Sequence, residues 1–300
     1  MKAVVLHEYG PPKNLKYENF QDPKPGKGEV LVRVHAIGVN PIDWKVRSGA
    51  MKDIFPTPFP AILGYDIAGV ASELGEGVTG FGLGDRVFAR TGGAYAELAV
   101  VKAEELAKIP EKVEFTTAAG LPVISTTADQ LIREQAGVKA GQTILLTGAS
   151  GSVGRLALYC ALEQGAKVIA GVRKKHIDEA LALGATKAVD IGDDSAITAL
   201  GVVDAVADTL GGALASKLMA RIKPGGVYAS VVGPPQNAAP GIQIKAFGSH
   251  ADAAAMRRYA EAIRDGKLTL PIDVVLPLEE AAEAHEKGER GGVGKIVLRT

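Results

Sequence analysis

The sequence predicts an α/β protein: a β-barrel-like domain assembled from both ends of the chain, and a central domain of βαβ units on a parallel sheet. Three observations predict this. The first hundred residues read as short strands broken by glycine and proline, and from about residue 116 short apolar strands alternate with helical stretches. The last thirty-odd residues return to strands that have no βαβ partner. A chain of 300 residues with 47% apolar content is long enough for about two domains with a sizeable core. The expected boundaries are 1–115, 116–265 and 266–300, the last segment rejoining the first.

In the first segment, Val30 to Ala36 alternates apolar and polar residues as a half-buried strand does. Gly64 to Val70 and Asp85 to Phe88 are similar runs. Between them, Gly75, Gly77, Gly80, Gly82 and Gly84 suit tight turns and oppose helix. Prolines at 11, 12, 23, 25, 41, 56, 58 and 60 break the segment further. In the central segment, strands are expected at Gln142–Thr147, Lys167–Ala170, Ala188–Asp190, Val203–Asp208 and Gly226–Val232. Helices fall between them, among them Ser152–Gln164 and Ile177–Leu183. Strands alternating with helices imply right-handed parallel crossovers. An amphipathic helix from about Asp252 to Asp265 is expected to close this domain. Ile272–Leu276 and Lys295–Leu298 then read as strands, with a small helix at Leu278–Lys287 between them.

Composition removes several classes. The 34 basic and 34 acidic side chains cancel, which opposes a nucleic-acid surface. A single cysteine, Cys160, allows no disulfide within the chain and no site of several thiolates. No run of about 18 apolar residues exists, and the start lacks a secretory signal pattern, so a cytoplasmic location is expected.

The most informative stretch is Thr147-Gly148-Ala149-Ser150-Gly151-Ser152-Val153-Gly154, which follows an expected strand and opens an expected helix. Gly148 permits the tight turn, Gly151 a close approach to a pyrophosphate, and Gly154 the packing of helix on sheet. Amides from about Ser150 to Val153 would face the phosphates, aided by the helix dipole. Glycines also serve plain strand–helix turns, but the βαβ context favours a dinucleotide. An acidic residue at the end of the second strand would bind a ribose hydroxyl and select NAD. Here Arg173-Lys174-Lys175-His176 stands instead, with no carboxylate before Asp178. Cations at a helix start oppose the dipole, so four in a row call for an anion. NADPH is therefore expected, with Arg173 on the 2′-phosphate and Lys174, Lys175 or His176 assisting.

Several further stretches occur in a distinctive order: Val39 to Gly49, Gly64 to Val70, Gly84 to Val87, Gly92 to Glu97, Asp208 to Gly212, and Gly294 to Leu298. With them the chain resembles the medium-chain dehydrogenase/reductase superfamily, and within it the zinc-independent, zeta-crystallin-like quinone oxidoreductase branch. The resemblance covers essentially the whole chain. It implies a GroES-like catalytic domain, a Rossmann cofactor domain and a homodimer through Rossmann-domain edges. The family's alcohol dehydrogenases place a cysteine and a His-Glu pair at a catalytic zinc, where this chain has Asn40-Pro41-Ile42-Asp43 and Gly64-Tyr65-Asp66. The four-cysteine structural-zinc lobe is absent too, and the histidines at 7, 35, 176, 250 and 285 show no metal-ligand spacing, so no metal is expected.

Without a metal to stabilise an alkoxide, reduction of a quinone or an α,β-unsaturated carbonyl fits better, because the π system spreads the charge that hydride delivery creates. By the resemblance, Asn40 either donates to the substrate carbonyl or fixes its loop, and Tyr65 stands where a zinc-binding histidine would. Asp43 and Lys45 form a local ion pair or act in the site. Thr127 matches a threonine near the nicotinamide, although Gln130 departs from the family pattern, as does Ile191 at the adenine end. Val232 and Gly233 would pass the nicotinamide side, or simply end a strand. A weakly catalytic crystallin-like binder of NADPH and an enoyl-thioester reductase stand as alternatives. A short-chain reductase is disfavoured. It needs a tyrosine four residues before a lysine on one helix, and here only Tyr9 and Lys13 comply, across Gly10-Pro11-Pro12.

Overall fold

The computed structural model describes every residue of the chain except Gln236 and Ala238. The chain forms two compact units, one of Met1–Val123 with Ala251–Thr300 and the other of Ile124–His250. The first unit opens with β1 (Lys2–Leu6), β2 (Leu15–Asn19) and β3 (Glu29–Val39), then helix α1 (Pro41–Arg47). Pro41, one of the expected breaks, starts that helix instead. The first helical position needs no amide donor, and proline's fixed φ suits it. Strands β4 (Ala61–Ile62), β5 (Asp66–Leu74), β6 (Arg86–Arg90), β7 (Leu98–Lys102) and β8 (Leu106–Lys108) follow, then helix α2 (Phe115–Ala119). In β3, Val32, Val34 and Ala36 are buried while Arg33 and His35 are exposed, the alternation read from the sequence.

After α3 (Pro122–Gln130), the second unit runs β9 (Thr143–Thr147), α4 (Ser152–Glu163), β10 (Lys167–Val172), α5 (Ile177–Ala182) and β11 (Lys187–Asp190). It continues through α6 (Asp194–Thr198), β12 (Val203–Asp208), α7 (Leu214–Met219), β13 (Ile222–Ser230) and β14 (Gln243–Ala246). Its six strands are parallel and ordered β11-β10-β9-β12-β13-β14. This is the doubly wound Rossmann order, in which the chain reverses direction across the sheet between β9 and β12. Ile144, Leu145 and Leu146 are fully buried, because a central parallel strand is covered on both faces.

The chain then returns to the first unit with α8 (Ala253–Arg264), β15 (Ile272–Pro277), α9 (Ala281–Arg290) and β16 (Lys295–Arg299). Strand β16 pairs antiparallel with β3, and α9 packs beside α1. The larger sheet reads β15-β16-β3-β5-β6-β8, with β7 also on β3, and a smaller one reads β2-β1-β4. Helix α8, expected to close the central domain, groups with the first unit and packs against β8. Its buried stripe of Ala255, Met256, Tyr259 and Ala260 signals a covered face but carries no information about which domain covers it.

Candidate functional site

At the switch point of the parallel sheet, the glycine-rich turn has the geometry its spacing implies. Gly148 has φ +65, and a Cβ there would lie 2.4 Å from Thr209 Oγ1. A Cβ on Gly154 would lie 2.0 Å from the Gly148 carbonyl oxygen, so only glycine lets α4 start this close to the strand. The Gly151 amide donates to Gly148 O at 2.8 Å, and Arg155 N donates to Gly151 O at 2.8 Å. The amides of Ser152, Val153 and Gly154, in the first turn of α4, have no acceptor within the helix and present a positive helix end. Ser150 lies half-buried just before them.

Strand β10 ends at Val172, and Arg173, Lys174 and Lys175 follow it, all exposed. The His176 ring lies 2.9 Å from Glu179 Oε2, and Glu179 also pairs with Arg155. His176 is thus tied to α5, apart from the exposed Arg173, Lys174 and Lys175. On the other side of the switch point, Leu210, Gly211, Gly212, Val232 and Gly233 line a shallow depression beyond the carboxyl ends of β12 and β13. Beneath it lies Asp208, 1% exposed. Thr127 is buried, its hydroxyl 2.7 Å from Ser249 Oγ, while Gln130 bonds to the backbone of His250 through both ends of its amide.

The first unit holds a buried polar cluster where β3, β5, β16 and α1 meet. Asn40 Nδ2 donates to Asp66 Oδ2 at 2.8 Å, and Lys295 Nζ donates to Asn40 Oδ1 at 2.7 Å. Lys295 Nζ also lies 3.4 Å from Asp66 Oδ2, while Val123 N donates to Asp66 Oδ1 at 2.8 Å. Burial pushes the Asp66 carboxyl up, opposed first by Lys295, and pushes the Lys295 ammonium down. Asn40 is 1% exposed, so its amide fixes the loop between β3 and α1. Asp43 does not pair with Lys45; it turns inward, accepting from Asn40 N at 2.8 Å and from the Tyr95 hydroxyl at 3.0 Å. Tyr95 Oη lies 2.9 Å from His285 Nε2. Tyr65 is only partly buried, and its hydroxyl makes no hydrogen bond among the described residues. Burial, then the nearby Asp43, raises its phenol, so the hydroxyl stays protonated.

Known proteins share this architecture. Residues 26–111 match the alcohol dehydrogenase GroES-like domain family, and residues 183–298 match the zinc-binding dehydrogenase family. A quinone oxidoreductase of Sus scrofa is 32% identical over 326 residues, covering 99% of this chain and 97% of its own. An NADPH-dependent alkenal/one oxidoreductase, chloroplastic, of Arabidopsis thaliana is 30% identical, covering 99% of this chain and 79% of its own. The quinone oxidoreductase structure from Coxiella burnetii superposes with a TM-score of 0.89 at 30% identity, covering 100% of this chain and 99% of that one.

The chain belongs to the quinone oxidoreductase group of the medium-chain dehydrogenase/reductase superfamily.

For a member of this superfamily, the cluster beside Tyr65 is informative. Among the described residues, no three His, Cys, Asp or Glu side chains converge as a metal site. The donors do not fit zinc: both Asp66 oxygens accept from protein groups, and the Lys295 ammonium already supplies the cation that the carboxylate needs. Sequence reasoning missed Asp66, Lys295, Tyr95, His285 and Asp208 as site-forming groups. The signal available was their place in stretches already singled out, which hold Asp66, Tyr95, Asp208 and Lys295, the last a cation heading an apolar strand.

Asp43 and His285 lead to a pH prediction. Burial is the main cause that pushes the Asp43 carboxyl from 3.8 up to about 7, with the Asp66 charge adding and the bonds from Asn40 and Tyr95 and the charge of Lys295 opposing. Burial first, then the Arg47 charge, holds the His285 imidazole down at about 3. Between about pH 4.5 and 6, native Asp43 keeps a proton that the unfolded chain releases, so its contribution to stability falls as pH rises. In the same window the unfolded chain binds a proton that native His285 refuses, so that contribution rises with pH. Each slope is at most about 1.4 kcal/mol per pH unit, and the two cancel. His285→Asn should therefore lose stability with rising pH relative to the wild type, and Asp43→Asn should gain it, each by about 2 kcal/mol across the window. Denaturant titrations of the three proteins giving parallel pH profiles would reject this.

Proposed function

We propose that the protein is an NADPH-dependent reductase that passes hydride to quinones or α,β-unsaturated carbonyl compounds without zinc. The observation that carries this reading is the pairing of a glycine turn at the switch point with three exposed cations, and no carboxylate, at the end of β10. The NADPH-dependent alkenal/one oxidoreductase of Arabidopsis and the quinone oxidoreductase of Sus scrofa, both similar along 99% of this chain, support it.

When bound, NADPH supplies the hydride from its nicotinamide ring. Gly148, Ser150 and Gly151 line the approach to the pyrophosphate, and the amides of Ser152, Val153 and Gly154 bind it. Arg173 and Lys174 hold the 2′-phosphate, with Lys175 alongside and His176 bordering them. Thr127, Val232 and Gly233 receive the nicotinamide end. Tyr65 would offer its hydroxyl as a hydrogen-bond donor to the substrate carbonyl oxygen on which negative charge develops, while Asn40 keeps the neighbouring loop in place. Among the described residues, β11 and β14 each pair on one side only, and such an open edge is where two copies would join as a homodimer.

The test is NADPH oxidation against a panel of quinones, enals, enones and enoyl thioesters, before and after dialysis against a strong chelator, with the particle mass measured by sedimentation. Turnover of at least one quinone, enal or enone that survives chelation, from a particle about twice 31.0 kDa, is expected. No turnover, or activity restored only by zinc, would overturn the assignment, and a monomer would remove the dimer.

A further inference from the structure

We propose that Asp208 is a positioning residue that locks the pyrophosphate turn and both walls of the nicotinamide-end depression into one rigid frame. The inference rests on the cofactor reading above and goes beyond it, because Asp208 lies beneath the depression and forms none of its lining.

The geometry is unusual for a buried carboxylate. Asp208 Oδ1 accepts from Thr147 Oγ1 at 2.7 Å and from the amides of Leu210 and Gly211 at 3.1 Å each. Asp208 Oδ2 accepts from the Tyr228 hydroxyl at 2.6 Å, from Ser230 Oγ at 3.1 Å and from Gly211 N at 3.0 Å. Among the described residues no cation touches it: hydroxyls from the ends of β9 and β13 and amides from one loop satisfy its oxygens. Such a site is satisfied only while all its donors stay in place.

Each donor belongs to a part of the expected cofactor site. Thr147 begins the glycine turn, and a second link runs back to it, since Thr209 N donates to Thr147 Oγ1 and Thr209 Oγ1 to Thr147 O, both at 2.9 Å. Leu210 and Gly211 form one wall of the depression. Gly211 has φ +67, and a Cβ there would meet Val232 Cγ2 at 2.6 Å, so the two walls are in close approach. Ser230 reaches the second wall, because Val232 N donates to Ser230 Oγ at 3.3 Å. One carboxylate thus fixes where the pyrophosphate turn stands relative to the surface that would receive the nicotinamide. Hydride transfer is sensitive to that spacing, since misplacement by about 1 Å can cost roughly a hundredfold in rate.

The test uses Asp208→Asn and Ser230→Ala in the full-length protein, with circular dichroism and thermal melting to establish folding. Asparagine turns an NH2 group toward donors, breaking the frame while keeping the shape. Expected are a kcat for NADPH oxidation lower by about tenfold to a hundredfold in Asp208→Asn and a smaller fall in Ser230→Ala. Affinity for 2′,5′-ADP, which carries only the adenosine end, should stay within about twofold in both. Unchanged kcat in folded Asp208→Asn would overturn the proposal. So would an equal loss of 2′,5′-ADP affinity, which marks a general structural role. If Asp208→Asn does not fold, Ser230→Ala decides alone, and a wild-type kcat there overturns it. Failure of the wild type itself to bind 2′,5′-ADP or NADPH would instead bring down the cofactor reading, and this inference with it.

Discussion

Replacing Lys295 with methionine should lower stability by about 3–5 kcal/mol, the usual cost of removing one partner from a buried ion pair. Methionine keeps the length of the side chain, so little of the loss comes from a cavity. What remains is Asp66, fully buried, with donors from Asn40 and Val123 and the charge of Arg90 nearby but without the ammonium. Asn40 Oδ1 also loses its donor. The double variant Lys295→Met with Asp66→Asn removes the orphaned charge and should recover more than half of the loss. A denaturant-derived double-mutant cycle measures this, and additive single effects would show that the two side chains are not coupled. Even the full loss need not unfold a protein of ordinary stability, so folded variants should be obtainable.

Arg173→Ser should weaken NADPH binding by roughly tenfold to a hundredfold while leaving NADH nearly untouched. A charge-assisted hydrogen bond contributes about 1.5–3 kcal/mol, and each 1.4 kcal/mol is a factor of ten. The side chain is exposed at the end of β10 and makes no hydrogen bond or ion pair among the described residues, so the substitution disturbs little else in the fold. Because the contact is the same in ground and transition states, KM should rise and kcat stay. Lys174→Ser should act the same way with a smaller factor. Equal Michaelis constants for NADPH in the wild type and Arg173→Ser would mean the basic run is only a solvated turn.

The parts of this protein legible in its sequence are those governed by local rules. Alternation located β3, the unbroken apolar run located β9, and glycine spacing located the turn whose backbone tolerates no Cβ at Gly154. The basic run at Arg173 stood out because positive side chains at a helix start oppose the dipole; the structure leaves Arg173, Lys174 and Lys175 exposed and ties His176 to Glu179. What stayed hidden depends on pairing across the chain. Lys295 reads as a strand residue until β16 lies against β3 and brings it to Asp66, 229 residues away. His285 reads as one of five scattered histidines until α9 brings it to Tyr95, 190 residues away. Asp208 looked like the polar end of a strand, and only the assembled sheet surrounds it with donors. Asn40 was legible as a special position, but whether its amide faced a substrate or the interior was decided by Lys295. The membership of α8 was unreadable for the same reason: amphipathicity reports a buried face without naming its cover.

The first unit is closed by residues from both ends of the chain, and this fixes an order of events during synthesis. Asn40 and Asp66 leave the ribosome early, but the lysine that neutralises their pocket is made 229 residues later than Asp66, in the strand that also completes the sheet beside β3. At about 5–20 residues per second, that interval lasts roughly 10–50 s. Through it the growing chain carries an unfinished sheet, with Ala36 to Val39 of β3 unpaired on the edge that β16 will join, and a carboxylate awaiting its counter-ion. The parallel-sheet unit, contiguous in sequence, has no such wait and can finish first. The insertion of one unit within the other thus makes folding of the GroES-like part a late event, timed by translation of β16.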